Sequence, residues 1–188
     1  MMLSHKGTQK IKTPRLTLRR FTMDDVPAVY SNWASDSEVT EFLRWPAHTH
    51  IGMTMQVLDR WISDYARSDF YHWTIVPDDL GEPVGSISAV GHDDRTSMAH
   101  IGYCLGKAWW HLGYMSESLA AVIEFFFTQV GINRIESQHD PRNPNSGGVM
   151  KKCGMVYEGT KRQADFSNKG IADACMYSIL RSEWSDKQ

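Results

Sequence analysis

Leu119, Val122, Ile123, Phe126, Phe127 and Val130 recur at spacings of 3, 1, 3, 1 and 3. An α-helix puts all six on one broad face, and a face that wide has to lie against a sheet or a second layer of helices. Gly131 follows directly and is placed to end the helix as a C′ residue. The residues that lead into it, AWWHLGYM (108–115), bring two tryptophans, a glycine and little side-chain polarity. A helix entered that way suggests that its backbone is the working part.

The flanking patterns set the rest of the layer. RLTLRRF (15–21) alternates apolar and basic residues, as a half-buried strand does. Asp24 and Asp25 open a helix carrying Val26, Val29, Tyr30 and Trp33, with Pro27 inside its first turn. FLRWPAHTH (42–50) reads as a loop. Ile51, Met55, Leu58, Ile62 and Tyr65 mark a second helix. YHWTIV (71–76) and PVGSISAV (83–90) form a hairpin across PDDLGE, and MAHIGYCL (98–105) is a further strand. RIESQ (134–138) is a short strand, VMKKC (149–153) is helical, and MVYEGT (155–160) and ACMYSILR (174–181) close the chain as a hairpin around Asn168 and Gly170. Helices alternate with strands while hairpins persist, so the sheet is mixed, α/β or α+β.

Composition narrows the function. A chain of 188 residues favours one domain, and a net charge of −2 with no basic run argues against a nucleic-acid partner. Cys104, Cys153 and Cys175 are odd in number and form no CxxC, which fits reduced thiols in the cytoplasm. MMLSHKGTQK lacks the apolar core of a signal peptide, and LAAVIEFFF is broken by Glu124 and too short for a bilayer, so no membrane is expected.

Four stretches, in their order and spacing, resemble GNAT-fold N-acetyltransferases of the branch that includes the ribosomal-protein N-terminal (alanine/serine) acetyltransferases. TPRLTLRRFTMDD is similar to that branch's opening strand and helix. AHIGYCLGKAWWHLGYMSESL is similar to its acetyl-CoA strand, loop and central helix. INRIESQHDPRNPNS and KKCGMVYEGT resemble its next strand with an Asn-x-x-Ser segment and its Lys-x-Gly turn. The likeness runs from about Thr13 to Leu180. It implies one GNAT-type domain over residues 1–188, with a mixed central sheet of about six to seven strands, splayed at the cofactor site and flanked by about four helices.

The resemblance also implies a site. Family members bind the coenzyme A pyrophosphate with backbone N–H groups at the start of the central helix. Those groups have no partner within the helix, and the macrodipole adds positive potential there. The loop positions hold Trp110, His111, Leu112, Gly113, Tyr114 and Met115, followed by Ser116. Only the middle glycine of the family pattern is kept, and Met115 stands where a small residue is usual. Tyr103, Cys104 and Leu105 are expected to bond pantetheine through their backbone, the N–H near Cys104 facing the thioester carbonyl. His100 stands where related sequences often have Glu, and is expected to act as general base, directly or through water. A strand histidine without a role is the plain alternative, and His111, His139 and Asp165 are further candidates. The usual tyrosine acid is replaced by Met150. Ser146 is then expected to hydrogen-bond the thiolate sulfur or relay a proton, and Asn143 to bond the pantetheine arm or cap the next helix. Gly147 and Gly148 each cost about 1 kcal/mol inside a helix, which a cofactor passing close by would explain. Lys151 and Lys152 meet a coenzyme A phosphate or form a solvated face.

Other chemistries find less support. GYCLGK (102–107) is one residue short of a Walker A loop, and neither GxGxxG nor GxSxG occurs. His48 and His50 are the close histidine pair and lack a partner at ligand spacing, so no metal is expected. The acceptor groove is expected over Trp33–Trp45 and Gln163–Ile171, where Asp36, Glu38 and Glu41 join Trp33, Phe42 and Trp45. Acid and aromatic residues suit a cationic amine. The expected substrates are acetyl-CoA and a protein N-terminal amine. A small amine (polyamine, amino acid or antibiotic) and a non-catalytic acyl-CoA sensor are the alternatives, and a homodimer is left open.

Overall fold

Alternation in Leu16–Arg19 buries Leu16 and Leu18 completely and starts a sheet to which every later strand adds. The computed structural model of the chain describes residues 3–185. Its eight strands are β1 (Ile11–Lys12), β2 (Leu16–Arg19), β3 (His72–Pro77), β4 (Gly85–Asp93), β5 (Met98–Leu105), β6 (Arg134–His139), β7 (Val156–Ser167) and β8 (Gly170–Leu180). They form one sheet in the order β1-β2-β3-β4-β5-β6-β8-β7. All neighbours are antiparallel except β5 and β6, whose parallel pairing requires a crossover. The two-residue strand β1 is one more than the seven strands legible in the sequence; two residues carry no period.

The crossover is the apolar helix. α4 (Tyr114–Phe125) runs into a wider π turn, Phe126–Val130, and stops at Gly131 in the left-handed conformation. Leu119, Val122, Ile123, Phe126 and Phe127 are at most 1% exposed and pack on Leu16, Ile75, Ile87, Ile101 and Ile135 of the sheet. Burial of each of these large side chains contributes about 1.5–3 kcal/mol. α5 (Pro144–Lys152) joins the same cluster through Met150.

A second cluster forms around α1 (Val26–Val29), its π-turn continuation Tyr30–Ala34, and α3 (Ile51–Asp64). Between them lies α2 (Ser37–Thr40), and the chain ends in α6 (Arg181–Ser185); both are short and carry no readable period. Side chains of β5 alternate between the clusters. Ala99, Ile101, Tyr103 and Leu105 pack with α4, whereas Cys104 packs with α1 and α3. The strand therefore has a face toward α4 and α5 and an opposite face toward the first helices.

β7 and β8 both run further than their sequence pattern suggests, β8 beginning at Gly170. β7 extends to Ser167 across a register shift between Lys161 and Asp165, where Gln163 takes φ 49. Its polar residues obscure the alternation. Among the described residues no helix is long and apolar enough to cross a membrane.

Candidate active site

β5 and β6 pair at Met98–Arg134, Ala99–Ile135 and His100–Glu136, and then separate. One residue on, the Ser137 hydroxyl donates to the Ile101 carbonyl at 2.8 Å. β4 adds a bulge opposite the same point, with Val90 between Ala89 (against Ile101) and Gly91 (against His100). A bulge re-aims a strand where regular pairing ends. The separation opens a cleft of about 1340 Å³ that reaches α4, α5, α2 and the β7–β8 hairpin.

Peptide groups alternate along a strand as side chains do. The carbonyls of Ile101 and Leu105 accept from Ser137 and from the Trp110 indole, so they turn away from β4. A Cβ added at Gly85 on β4 would sit 2.5 Å from the Cys104 carbonyl, so that carbonyl turns toward β4. The open edge therefore belongs to Ile101, Tyr103 and Leu105. The backbone contact expected of Cys104 falls to its neighbours, because its own peptide groups belong to the β4 ladder. The Cys104 thiol is pushed above its ordinary pKa by burial and lies 3.5 Å from the Ser86 hydroxyl.

The start of α4 lies beside that edge. Trp110 donates its indole N–H to the Leu105 carbonyl at 2.7 Å, tying the loop to the end of β5. His111 takes φ 64 and Gly113 φ 83, two left-handed residues that turn the chain into the helix. A side chain at Gly113 would be strained by that φ and would also meet Arg15 at 3.3 Å. Gly113 offers no capping side chain, so the first N–H groups, of Tyr114, Met115 and Ser116, are left for an outside acceptor. The Met115 side chain is turned into the core at 6% exposure, so its bulk is spent away from the loop surface. Leu112 is exposed, and its carbonyl accepts from Arg15.

Arg15 escapes the sequence reading. Its guanidinium lies over the Tyr114 ring at 4.8 Å and pairs with Glu117 at 2.7 Å. Glu117, in the first turn of the helix, balances its charge, so the preference of this helix end for an anion rests on the free N–H groups and the dipole. The available signal was its place in an alternating strand, which marks Arg15 only as solvent-facing.

His100 shares a strand face with Cys104, toward the first helices and the closing hairpin. It makes no side-chain hydrogen bond among the described residues. Burial holds its pKa below the ordinary value; Glu136 and Asp165 push it back up, while Arg44 and Lys161 lower it further. It is therefore neutral near pH 7 and able to accept a proton.

Ser146 lies on the other face. Its hydroxyl donates to the Tyr103 phenol oxygen at 3.2 Å, and Tyr103 donates to the Ser146 carbonyl at 2.9 Å. Burial raises the Tyr103 pKa, so the phenol stays protonated. The sequence shows that the usual tyrosine is missing at Met150, which is wholly buried. It gives no sign that a phenol 43 residues upstream takes the neighbouring place. Asn143 caps α5, its side chain accepting from Ser146 N–H at 3.4 Å.

The two glycines of α5 separate. A Cβ at Gly147 would lie 2.5 Å from His139 Nε2, so close packing of that ring accounts for this glycine without a cofactor. His139 is anchored by Asp140, its Nδ1 lying 2.8 Å from the carbonyl. Gly148 meets nothing within 4 Å and faces the cleft. Lys152 also lines the cleft, whereas Lys151 is exposed outside it.

The acceptor side differs from the acidic groove that the sequence suggests. Asp36 caps α2, Glu38 pairs with Lys107, and Glu41 pairs with Lys169 at 2.9 Å. Trp33 is a core residue at 1% exposure. Asp165 is held by Arg44 at 2.7 Å and by Gln138 at 2.5 Å, which leaves it little capacity as a base. Asn168 donates to the carbonyls of Thr40 and Trp45, latching the β7–β8 turn onto α2 and its loop. What lines this end of the cleft is largely aromatic: Phe42, Trp45, Trp61, Phe70 and His72. His48 is buried with its Nδ1 2.8 Å from the Thr54 hydroxyl, apart from any cleft chemistry.

Comparison with known proteins agrees with this geometry. The acetyltransferase (GNAT) domain family matches residues 15–156. The protein named uncharacterized N-acetyltransferase p20, from Bacillus licheniformis, is 27% identical over 178 residues, 94% of this chain and 99% of its own. The ribosomal-protein-serine acetyltransferase of Escherichia coli K12 is 29% identical over 99 residues, 53% of this chain and 55% of its own. A solved structure described as the ribosomal L7/L12 alpha-N-protein acetyltransferase RimL in complex with coenzyme A shares the fold. Its TM-score is 0.82 at 24% identity, covering 92% of this chain and 98% of its own.

Proposed function

The chain belongs to the acetyltransferase (GNAT) domain family, and on that premise we propose that it transfers an acetyl group from acetyl-CoA to the α-amine of a protein N-terminus. The observation that carries the reading is the division of β5 at the opening. His100 lies on the face toward the first helices, the Tyr103–Ser146 pair lies on the face toward α5, and an unpaired peptide edge runs between them.

The cradle fits the co-substrate by its chemistry. The open peptide groups of Tyr103 and the N–H of Leu105 match the amides of a pantetheine arm. The N–H groups of Tyr114, Met115 and Ser116 match a pyrophosphate. The acceptor amine enters from the aromatic side and gives a proton to His100, directly or through water. Its lone pair attacks the thioester carbonyl, an N–H on the open β5 edge receives the oxyanion, and the C–N bond forms as the C–S bond breaks. The thiolate leaves toward Ser146, whose hydroxyl turns from the Tyr103 phenol oxygen to hydrogen-bond the sulfur, and the second proton of the amine passes to the sulfur or to solvent as the amide forms.

The acceptors' own pKa values favour an α-amine over a lysine whatever the base: an α-ammonium near 8 gives up its proton about 2.4 units more readily than a lysine near 10.4. The relatives named as ribosomal-protein acetyltransferases support the same choice.

The test is a mass-spectrometric acetylation assay on peptides with a free N-terminus, against the same peptides blocked at the N-terminus but bearing lysine. Acetylation confined to the free α-amine is the expected result. Acetylation of small amines alone would transfer the activity to that class. Acetyl-CoA binding without turnover on any amine would leave a sensor.

A further inference from the structure

His5 meets His92 and Asp94, nearly ninety residues further along the chain, at the rim of the cleft, away from the opening of β5 and β6. His5 lies in the segment before β1, His92 lies near the end of β4, and Asp94 begins the turn to β5. One ligand atom from each can be chosen so that all lie within 4.8 Å of one another. His5 Nε2 is 3.3 Å from both Asp94 carboxylate oxygens, and His92 Nδ1 is 3.1 Å from Oδ1. A tetrahedral site with bonds of about 2.0–2.1 Å sets its ligand atoms about 3.3 Å apart. Two sides of the donor triangle are already at that spacing.

Hydrogen bonds alone would give similar distances, but the outer shell is also in place. His5 Nδ1 is 3.0 Å from the Tyr71 hydroxyl, and the Asp69 carboxylate faces His92 Nε2 across 3.6 Å, outside hydrogen-bond range but close enough to draw in when the ring binds an ion. Asp69 is in turn clamped by two contacts of 3.1 Å from Arg67. The His5 ring is thus held from behind, the His92 ring has a carboxylate behind it, and both turn their remaining nitrogens onto Asp94. Metal-binding histidines are oriented in just this way by outer carboxylates and hydroxyl groups. Asp94 is 56% exposed, which leaves a coordination position open to water.

We propose that His5, His92 and Asp94 form a binding site for a divalent transition-metal ion of the zinc class, with Asp69 and Tyr71 orienting the two imidazoles. Two imidazoles and a carboxylate suit Zn(II), Co(II) or Ni(II) better than Mg(II) or Ca(II). The ion ties the N-terminal segment to the β4–β5 turn. The segment is already held beyond His5 by Gly7, Thr8 and Gln9, which bond to Ser68, Phe70, His72 and Trp73, so the ion adds a tie at its start. An ion bound only by the folded chain raises its stability with concentration.

The experiment uses the full chain, free of affinity tags and stripped with chelator, titrated with Zn(II) by calorimetry and with Co(II) by visible absorption. One equivalent of each is expected to bind, the Co(II) form with the strong visible bands of four-coordination and no thiolate charge-transfer band. His92→Ala and, separately, His5→Gln remove saturable binding, while Asp69→Asn weakens it by about 10–100-fold. His5→Gln leaves the sheet untouched, so a loss of binding there cannot be attributed to misfolding. Absence of saturable binding in the wild type, or equal binding by His5→Gln and His92→Ala, overturns the proposal.

Discussion

His100 and Glu136 are the last paired residues of the parallel strands β5 and β6, and beyond them the sheet opens. The side chain best suited to take a proton therefore sits at the foot of the opening. Its burial and its position come from the same feature of the fold.

Replacing His100 by Gln is expected to lower kcat by about 10²–10⁴-fold, the range of a positioned general base. Acetyl-CoA affinity should stay the same. Burial depresses the His100 pKa, so the base loses function only as pH falls below its ordinary 6.5. The pH profile should show that acid limb in the wild type, separate from the amine's own limb near 8, and lose it in His100→Gln.

Tyr103→Phe removes the phenol that stands behind the Ser146 hydroxyl. With a thiol leaving group of pKa near 8.5, little acid help is needed. The expected loss in kcat is about tenfold with KM unchanged. Steady-state kinetics of Tyr103→Phe, Ser146→Ala and the double variant should show effects that fail to add, as expected of a coupled pair.

The glycines of α5 should respond in opposite directions. Gly147→Ala drives a methyl group to 2.5 Å from the anchored His139 ring and is expected to cost about 1–3 kcal/mol in urea unfolding. Gly148→Ala meets nothing within 4 Å and should gain up to about 1 kcal/mol from helix propensity. If the cofactor passes there, Gly148→Ala also weakens acetyl-CoA binding, and calorimetry shows whether it does.

His72 should make the protein sensitive to acid. Burial among Phe21, Trp61 and Phe70 pushes its folded-state pKa down to about 3. The unfolded chain takes up this proton from about pH 6.5 downward while the folded one does not. The stability is present at neutral pH and is lost on acidification between about 6.5 and 3, by up to about 1.4 kcal/mol per pH unit. Urea unfolding of the wild type and of His72→Phe at pH 7 and 5 should show a shallower decline in the variant.

The succession of elements along the chain and the central apolar helix were legible because they rest on local periods: the alternation of 98–105, the 3,1,3,1,3 spacing of 119–130 and the stop at Gly131. What stayed hidden depends on contacts distant in sequence. Lys107 and Lys169 neutralise Glu38 and Glu41, so the groove expected to be acidic and aromatic loses its free acid and keeps Phe42 and Trp45. His139 explains Gly147, and Tyr103 reaches Ser146. Peptide direction along β5 was hidden too. Which of Tyr103 and Cys104 faces the opening depends on the pairing with β4, and no side-chain pattern records it.

The central claim is that the open edge of β5 and the start of α4 together hold acetyl-CoA. Calorimetric titration of the purified chain with acetyl-CoA tests it most directly, alongside Gly113→Val, which places a branched side chain at φ 83 and costs the fold roughly 1–2 kcal/mol. The account predicts one binding site per chain and an affinity at least about tenfold weaker in a folded Gly113→Val, about 1.4 kcal/mol. Absence of binding by the wild type, or equal binding by the variant, would contradict it.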